Sequence, residues 1–137
     1  MKPFEFFDHT ADIGVHAYGR TLEELFANSA RALYEAQGRF ATKERAVFKV
    51  ELEAADTADL LVHWLAELLF LFNARQLYFD RFRLQFTDGR KLVAQMDGGP
   101  VDFSQSEASE EIKAVTYHQL DVKQVPEGWT ATVIFDV

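Results

Sequence analysis

The sequence predicts an α+β domain: a largely antiparallel sheet with two helices packed on one face. Three observations carry that prediction. Two stretches repeat apolar residues at three- and four-residue steps. The other patterned stretches alternate apolar with polar residues. Most of these alternating stretches are joined by tight turns rather than long crossovers, which favours antiparallel pairing. With 137 residues the chain is one domain, 1–137, large enough to bury its own core.

The elements follow in order ββα β α ββββ. Phe4–Phe7 reads as a short strand, and Asp8-His9-Thr10-Ala11-Asp12-Ile13-Gly14 reads as a polar turn. Ile13, Val15 and Ala17 then alternate with His16 and Tyr18 along a second strand. Thr21-Leu22-Glu23-Glu24 is a capping box, opening a helix whose stripe is Leu22, Leu25, Phe26, Ala30 and Leu33 and whose end is Gly38. Val47–Glu53 alternates as a strand with one wet face. Asp56 or Thr57 caps the second helix, to about Ala74, with Leu61, Trp64, Leu65, Leu68, Leu69 and Phe72 as its stripe. His63 and Glu67 sit in the middle of that helix, so a buried core helix is expected rather than a membrane span.

The remainder reads as strands. Phe82, Leu84 and Phe86 lead to a hairpin turn at Thr87-Asp88-Gly89, and Leu92, Ala94 and Met96 run to a breaker at Asp97-Gly98-Gly99-Pro100. A polar loop from Asp102 to Glu110 precedes a long strand over Ile112–Val125. Pro126-Glu127-Gly128 turns it into a final strand over Trp129–Phe135.

Composition narrows the chemistry. The chain has no cysteine, which excludes disulfides, thiolate metal sites and Cys nucleophiles. Fourteen basic against 22 acidic residues give a net charge of −8. Nucleic-acid affinity rests mainly on neutralised phosphates, so strong direct nucleic-acid binding is not expected. No signal peptide is visible, and a cytoplasmic protein is the expectation.

The chemistry-bearing residues gather toward the two ends of the sequence. Asp12 lies in the first polar segment, and Asp136 is followed only by Val137 with its terminal carboxylate. If the last strand packs beside the first turn, these three anionic groups converge. A divalent cation with oxygen ligands (Ca²⁺, Mg²⁺ or Mn²⁺) is then the natural counter-charge. The alternative is a locally hydrogen-bonded turn at one end and a solvated tail at the other. Asp59, His63 and Glu67 share a helix face at four-residue steps, as ligands or as a charged solvated surface. His9 lies in the polar turn and His118 in a strand. Lys113 sits beside Glu110 and Glu111, in a surface ion pair or in contact with a partner or anionic ligand. Neither a nucleophile elbow nor a phosphate loop is present.

Five stretches carry a family resemblance: Phe4–Gly14, Thr21–Phe26, Leu60–Leu69, Glu111–His118 and Val133–Val137. Together they resemble the archease family, in family order and across essentially the whole chain. The resemblance implies an accessory protein, not an enzyme. Its partner would be the tRNA-splicing RNA ligase that joins 3′-phosphate or cyclic-phosphate ends to 5′-hydroxyl ends, whose guanylylation and multiple turnover it would stimulate. It places the divalent-metal site on Asp12, Asp136 and the Val137 carboxylate, and makes His9 and Lys113 candidates for partner contact or activation. Two positions depart from the family pattern: His63 replaces a usual Asp, and the Asp102–Glu110 loop lacks a usual His. Two rival classes stand beside this reading, a stand-alone metal-dependent phosphohydrolase and a chaperone-like binding module.

Overall fold

The computed structural model describes residues 2–137. Its first two strands, β1 (Phe4–His9) and β2 (Asp12–Gly19), form a hairpin in which only Thr10 and Ala11 turn. The polar segment expected as a turn is therefore mostly strand. A two-residue loop suffices to reverse an antiparallel pair, and it sets His9 directly opposite Asp12.

Helix α1 (Leu22–Gln37) starts as its sequence predicts, with the Thr21 hydroxyl accepting the Glu24 N–H at 3.1 Å. The Glu24 carboxylate reaches back one residue further than a capping box requires, to the Arg20 N–H at 3.3 Å. Gly38 ends the helix at φ 149° and opens β3 (Gly38–Arg39), where a Cβ would stand 2.1 Å from the Glu107 carbonyl oxygen. Next come β4 (Ala46–Glu53) and α2 (Thr57–Arg75), the latter capped by Asp56 and closed by Gln76 in the left-handed region.

The long strands β5 (Leu77–Thr87) and β6 (Lys91–Pro100) pair along their length, and β6 runs through the expected breaker at residues 97–100. Glycine permits this rather than preventing it. A Cβ on Gly98 would lie 2.0 Å from the Tyr78 carbonyl oxygen, so the pairing needs a residue without a side chain there. The polar loop after β6 contains a 3₁₀ turn (Phe103–Gln105) and a short strand, β7 (Glu107–Ala108), paired with β3.

The expected long strand over Ile112–Val125 is two strands, β8 (Ala114–Val115) and β9 (Asp121–Val125). Between them the chain turns, with Gln119 left-handed at φ 52°. Both pieces pair with β10 (Gly128–Asp136), so one neighbour is shared between two short partners.

The antiparallel class holds, with the strands divided between two main sheets. One has the order β1-β2-β10, with β8 and β9 on the far edge of β10; the other is β4-β6-β5. Apolar residues of both sheets and both helices form one core, including Val15, Val133, Phe135, Phe26, Trp64, Leu84 and Met96. Trp64 is fully buried, and its indole N–H donates to the Phe26 carbonyl at 3.1 Å, joining α2 to α1. Helix α2 is long and apolar enough to cross a membrane, yet here Leu60, Leu61, Leu65 and Leu68 are spent on this core.

Candidate metal centre

One row of residues crosses the first sheet at the β1–β2 turn. His9 stands opposite Asp12. The β2–β10 register runs to Ile13 opposite Phe135, so Asp12 and Asp136 are the next residues along on adjacent strands. Asp136 in turn pairs with Ala114 of β8. Strand side chains alternate between faces, and Phe135 is fully buried in the core, so Asp136 projects from the outer face. Directly opposed residues share a face, which puts His9, Asp12 and Asp136 on that same outer side.

The last strand is ordered into this row. β10 continues to Asp136, whose carbonyl accepts the Lys113 N–H at 2.7 Å. The Val137 side chain packs against the core. Solvated-tail behaviour is thereby replaced by a strand held on both edges.

Like charges placed opposite each other weaken an antiparallel pair. Asp12 is only 27% exposed, so water screens its charge incompletely. His9 Nδ1 lies 3.9 Å from Asp12 Oδ2, beyond hydrogen-bond length. That nitrogen is buried and has no hydrogen-bond partner among the described residues. Carboxylate oxygens with an unpartnered imidazole nitrogen suit a divalent cation. The convergence is one of strand positions: among the described residues no three His, Asp or Glu side chains form a ready-made cluster.

The other sequence candidates separate from this row. Lys113 contributes its backbone, while its exposed side chain makes no ion pair among the described residues, neither with Glu110 nor with Glu111. Asp59 accepts from the Tyr117 hydroxyl at 2.7 Å and stands 3.4 Å from His63 Nε2. The Tyr117 hydroxyl, then the Ala55 N–H, hold the Asp59 carboxyl below its ordinary range, and Asp59 raises the Tyr117 phenol. Glu67 joins neither contact, so this helix face is a charged surface that anchors the β8–β9 turn. His118 lies in that turn rather than in a strand.

Gln119 was not legible as a site residue. Its side-chain nitrogen sits 3.0 Å from His9 Nε2, across 110 positions of sequence. No spacing pattern signals such a contact. A cavity of about 560 Å³ lined by Lys2, Glu23, Arg31 and Phe82 lies elsewhere, at the start of α1.

A model of the family described as archease protein family (MTH1598/TM1083) matches residues 4–137. The chain is 38% identical to the protein archease of Methanosarcina barkeri, covering 99% of this chain and 97% of that one. It is 36% identical to protein archease of Pyrococcus abyssi, with both chains fully covered. The solution structure of Methanobacterium thermoautotrophicum protein 1598 superimposes with a TM-score of 0.77 at 32% identity, over the full length of both chains. A Thermotoga maritima crystal structure, of an archease described as a possible chaperone, gives 0.69 at 23% identity over 96% of this chain and 94% of that one, a likeness of fold.

Proposed function

This chain belongs to the archease family, and we propose that it is a metal-binding accessory protein of the tRNA-splicing RNA ligase, not itself a catalyst. In this reading it speeds guanylylation of the ligase and allows repeated turnover in the cytoplasm. The observation that carries it is the alignment of Asp12 with Asp136 on adjacent strands at the ordered end of β10.

Asp12, Asp136 and the terminal carboxylate of Val137 would hold the cation, Ca²⁺, Mg²⁺ or Mn²⁺. When bound, such an ion supplies positive charge that offsets negative charge on nucleotide phosphates. The chain's own residues do the holding: β2 and β10 fix the two aspartates by their ladder, and the Lys113 N–H fixes the Asp136 backbone. The exposed Lys113 side chain, which makes no ion pair among the described residues, and the His9 imidazole are the candidates for contact with the ligase. The acidic balance supports a protein partner over direct nucleic-acid binding.

Ligase turnover under excess RNA, with and without this protein, tests the reading. Added protein should convert a single round of joining into many, and Asp12→Ala should abolish that gain while circular dichroism shows an intact fold. Undiminished stimulation by the variant would reject the metal role and favour chaperone-like binding. Phosphoester hydrolysis by the protein alone with Mn²⁺ would favour the phosphohydrolase class.

A further inference from the structure

We infer that β4 is a pairing edge for a second copy of this chain. Two β4-β6-β5 sheets would join into one six-stranded sheet about a two-fold axis at Val50. Such a dimer is independent of the metal reading, because β4 contributes nothing to the row at Asp12 and Asp136.

The two edges of the β4-β6-β5 sheet differ. At the β5 edge the Leu84 N–H points away from β6 and donates to the Glu23 carboxylate of α1 at 3.4 Å. Beside it the Arg31 guanidinium lies 5.9 Å from the centre of the Phe82 ring. Helix α1 thereby closes this edge. β4 has β6 on one side and no strand on the other among the described residues. Alternate residues of an antiparallel strand address opposite neighbours. Leu84 faces outward from β5, so Arg83 and Gln95 address each other and Ala94 addresses Val50. Val47, Lys49, Glu51 and Glu53 therefore turn their backbone groups to the open side.

Side chains along this edge are incomplete on both faces. The inward row is buried on β6, at Leu92, Ala94 and Met96, but only half-buried on β4, at Leu52, Val50 and Phe48. On the outward face Lys49 and Glu51 are exposed, and neither joins an ion pair among the described residues. Their direct neighbours on β6, Gln95 and Val93, carry no charge.

A second copy supplies what each face lacks. Two antiparallel β4 strands with Val50 opposite Val50 set Phe48 opposite Leu52 on the inward face. On the outward face the same register sets Lys49 opposite Glu51 twice. Opposite charges across a strand pair attract and like charges repel. Moving the axis by one residue either way would set Lys49 against Lys49 or Glu51 against Glu51, so the charges select the Val50 register. β1, at the edge of the first sheet, carries Glu5 and Asp8 with no lysine or arginine, and lacks this self-complementarity. Eight residues of strand span only about 27 Å. So small a contact gives a dimer at micromolar concentrations rather than below them.

Sedimentation equilibrium of the full chain over roughly 1–300 µM tests this. The native chain should pass from monomer to dimer across that range. Lys49→Glu and Glu51→Lys should each weaken self-association about tenfold or more, since each opposes like charges twice. Both positions are exposed, so the melting temperature of the monomer should stay nearly unchanged. An equimolar mixture of the two variants should pair as the native chain does, because every charge contact across the axis is again opposite in sign. A native chain that stays monomeric, a dimer indifferent to both variants, or a mixture that does not recover would overturn the pairing. Amide shifts in β4 that appear only when the ligase is added would give this edge to a partner's strand, and overturn it equally.

Discussion

Thr10 is the residue under most local strain: a β-branched side chain at φ 55° in the two-residue turn between His9 and Asp12. Left-handed backbone costs such a residue roughly 1–2 kcal/mol, while asparagine accepts it. Thr10→Asn should therefore raise stability by about 1 kcal/mol, measured by urea denaturation. The strain sits between His9 and Asp12, in the turn that sets them opposite each other. Asp59 offers a pH test. Its folded carboxyl lies below the ordinary range, so the stability it adds is present above its unfolded value, about 3.9, and is lost as pH falls through the folded one. The fall in melting temperature below pH 4 should be shallower in Tyr117→Phe, whose Asp59 lacks the hydroxyl partner. An unaltered slope would remove the Tyr117 bond as the cause. Asp12 and Asp136 stood out in the sequence as candidates by residue type and position, with a local turn and a solvated tail as the alternative. Gln119 was not, since only the folded turn brings it to His9.

At the scale of elements, local chemistry settled the helices well and the strand limits less well. Thr21, the stripe through Leu25 and Phe26, and Asp56 act within one or two turns, so periodicity revealed both helices. Thr21→Ala should cost about 1 kcal/mol by loss of the cap. Trp64→Phe should cost more, about 1–3 kcal/mol, because it removes a fully buried indole's volume together with its hydrogen bond to the Phe26 carbonyl. Both are read as shifts in the denaturation midpoint. Strand limits depend on the neighbouring strand. Gly98 and Gly99 resemble a breaker in isolation and are accommodated only because β5 and the Glu44 backbone press against them. Likewise β8 and β9 look continuous until β10 is seen to offer each a different stretch of one edge.

Across the whole molecule, topology brings the end of the last strand beside the first turn. β10 is inserted between β2 and the β8–β9 pair, so the last strand is interior and its final residues inherit the order of the sheet. The sequence suggested that meeting through strand-forming residues running to Phe135. It did not show the register that sets Asp12 beside Asp136, which follows from the pairing of Val15 with Val133 in the core. Lengthening the chain beyond Val137 by a few residues should leave the melting temperature without metal nearly unchanged while weakening metal binding. The net charge of −8 further predicts no measurable tRNA binding by fluorescence anisotropy at physiological salt.

The most direct test is Mn²⁺ added in substoichiometric amounts to the ¹⁵N-labelled protein, followed by paramagnetic broadening of its amide signals. Asp12, Ile13, Asp136 and Val137 should broaden first, and Asp136→Asn should suppress the effect. Broadening centred on the Asp59–Glu67 face of α2, or spread evenly over the acidic surface, would contradict a cation held where the end of β10 meets the β1–β2 turn.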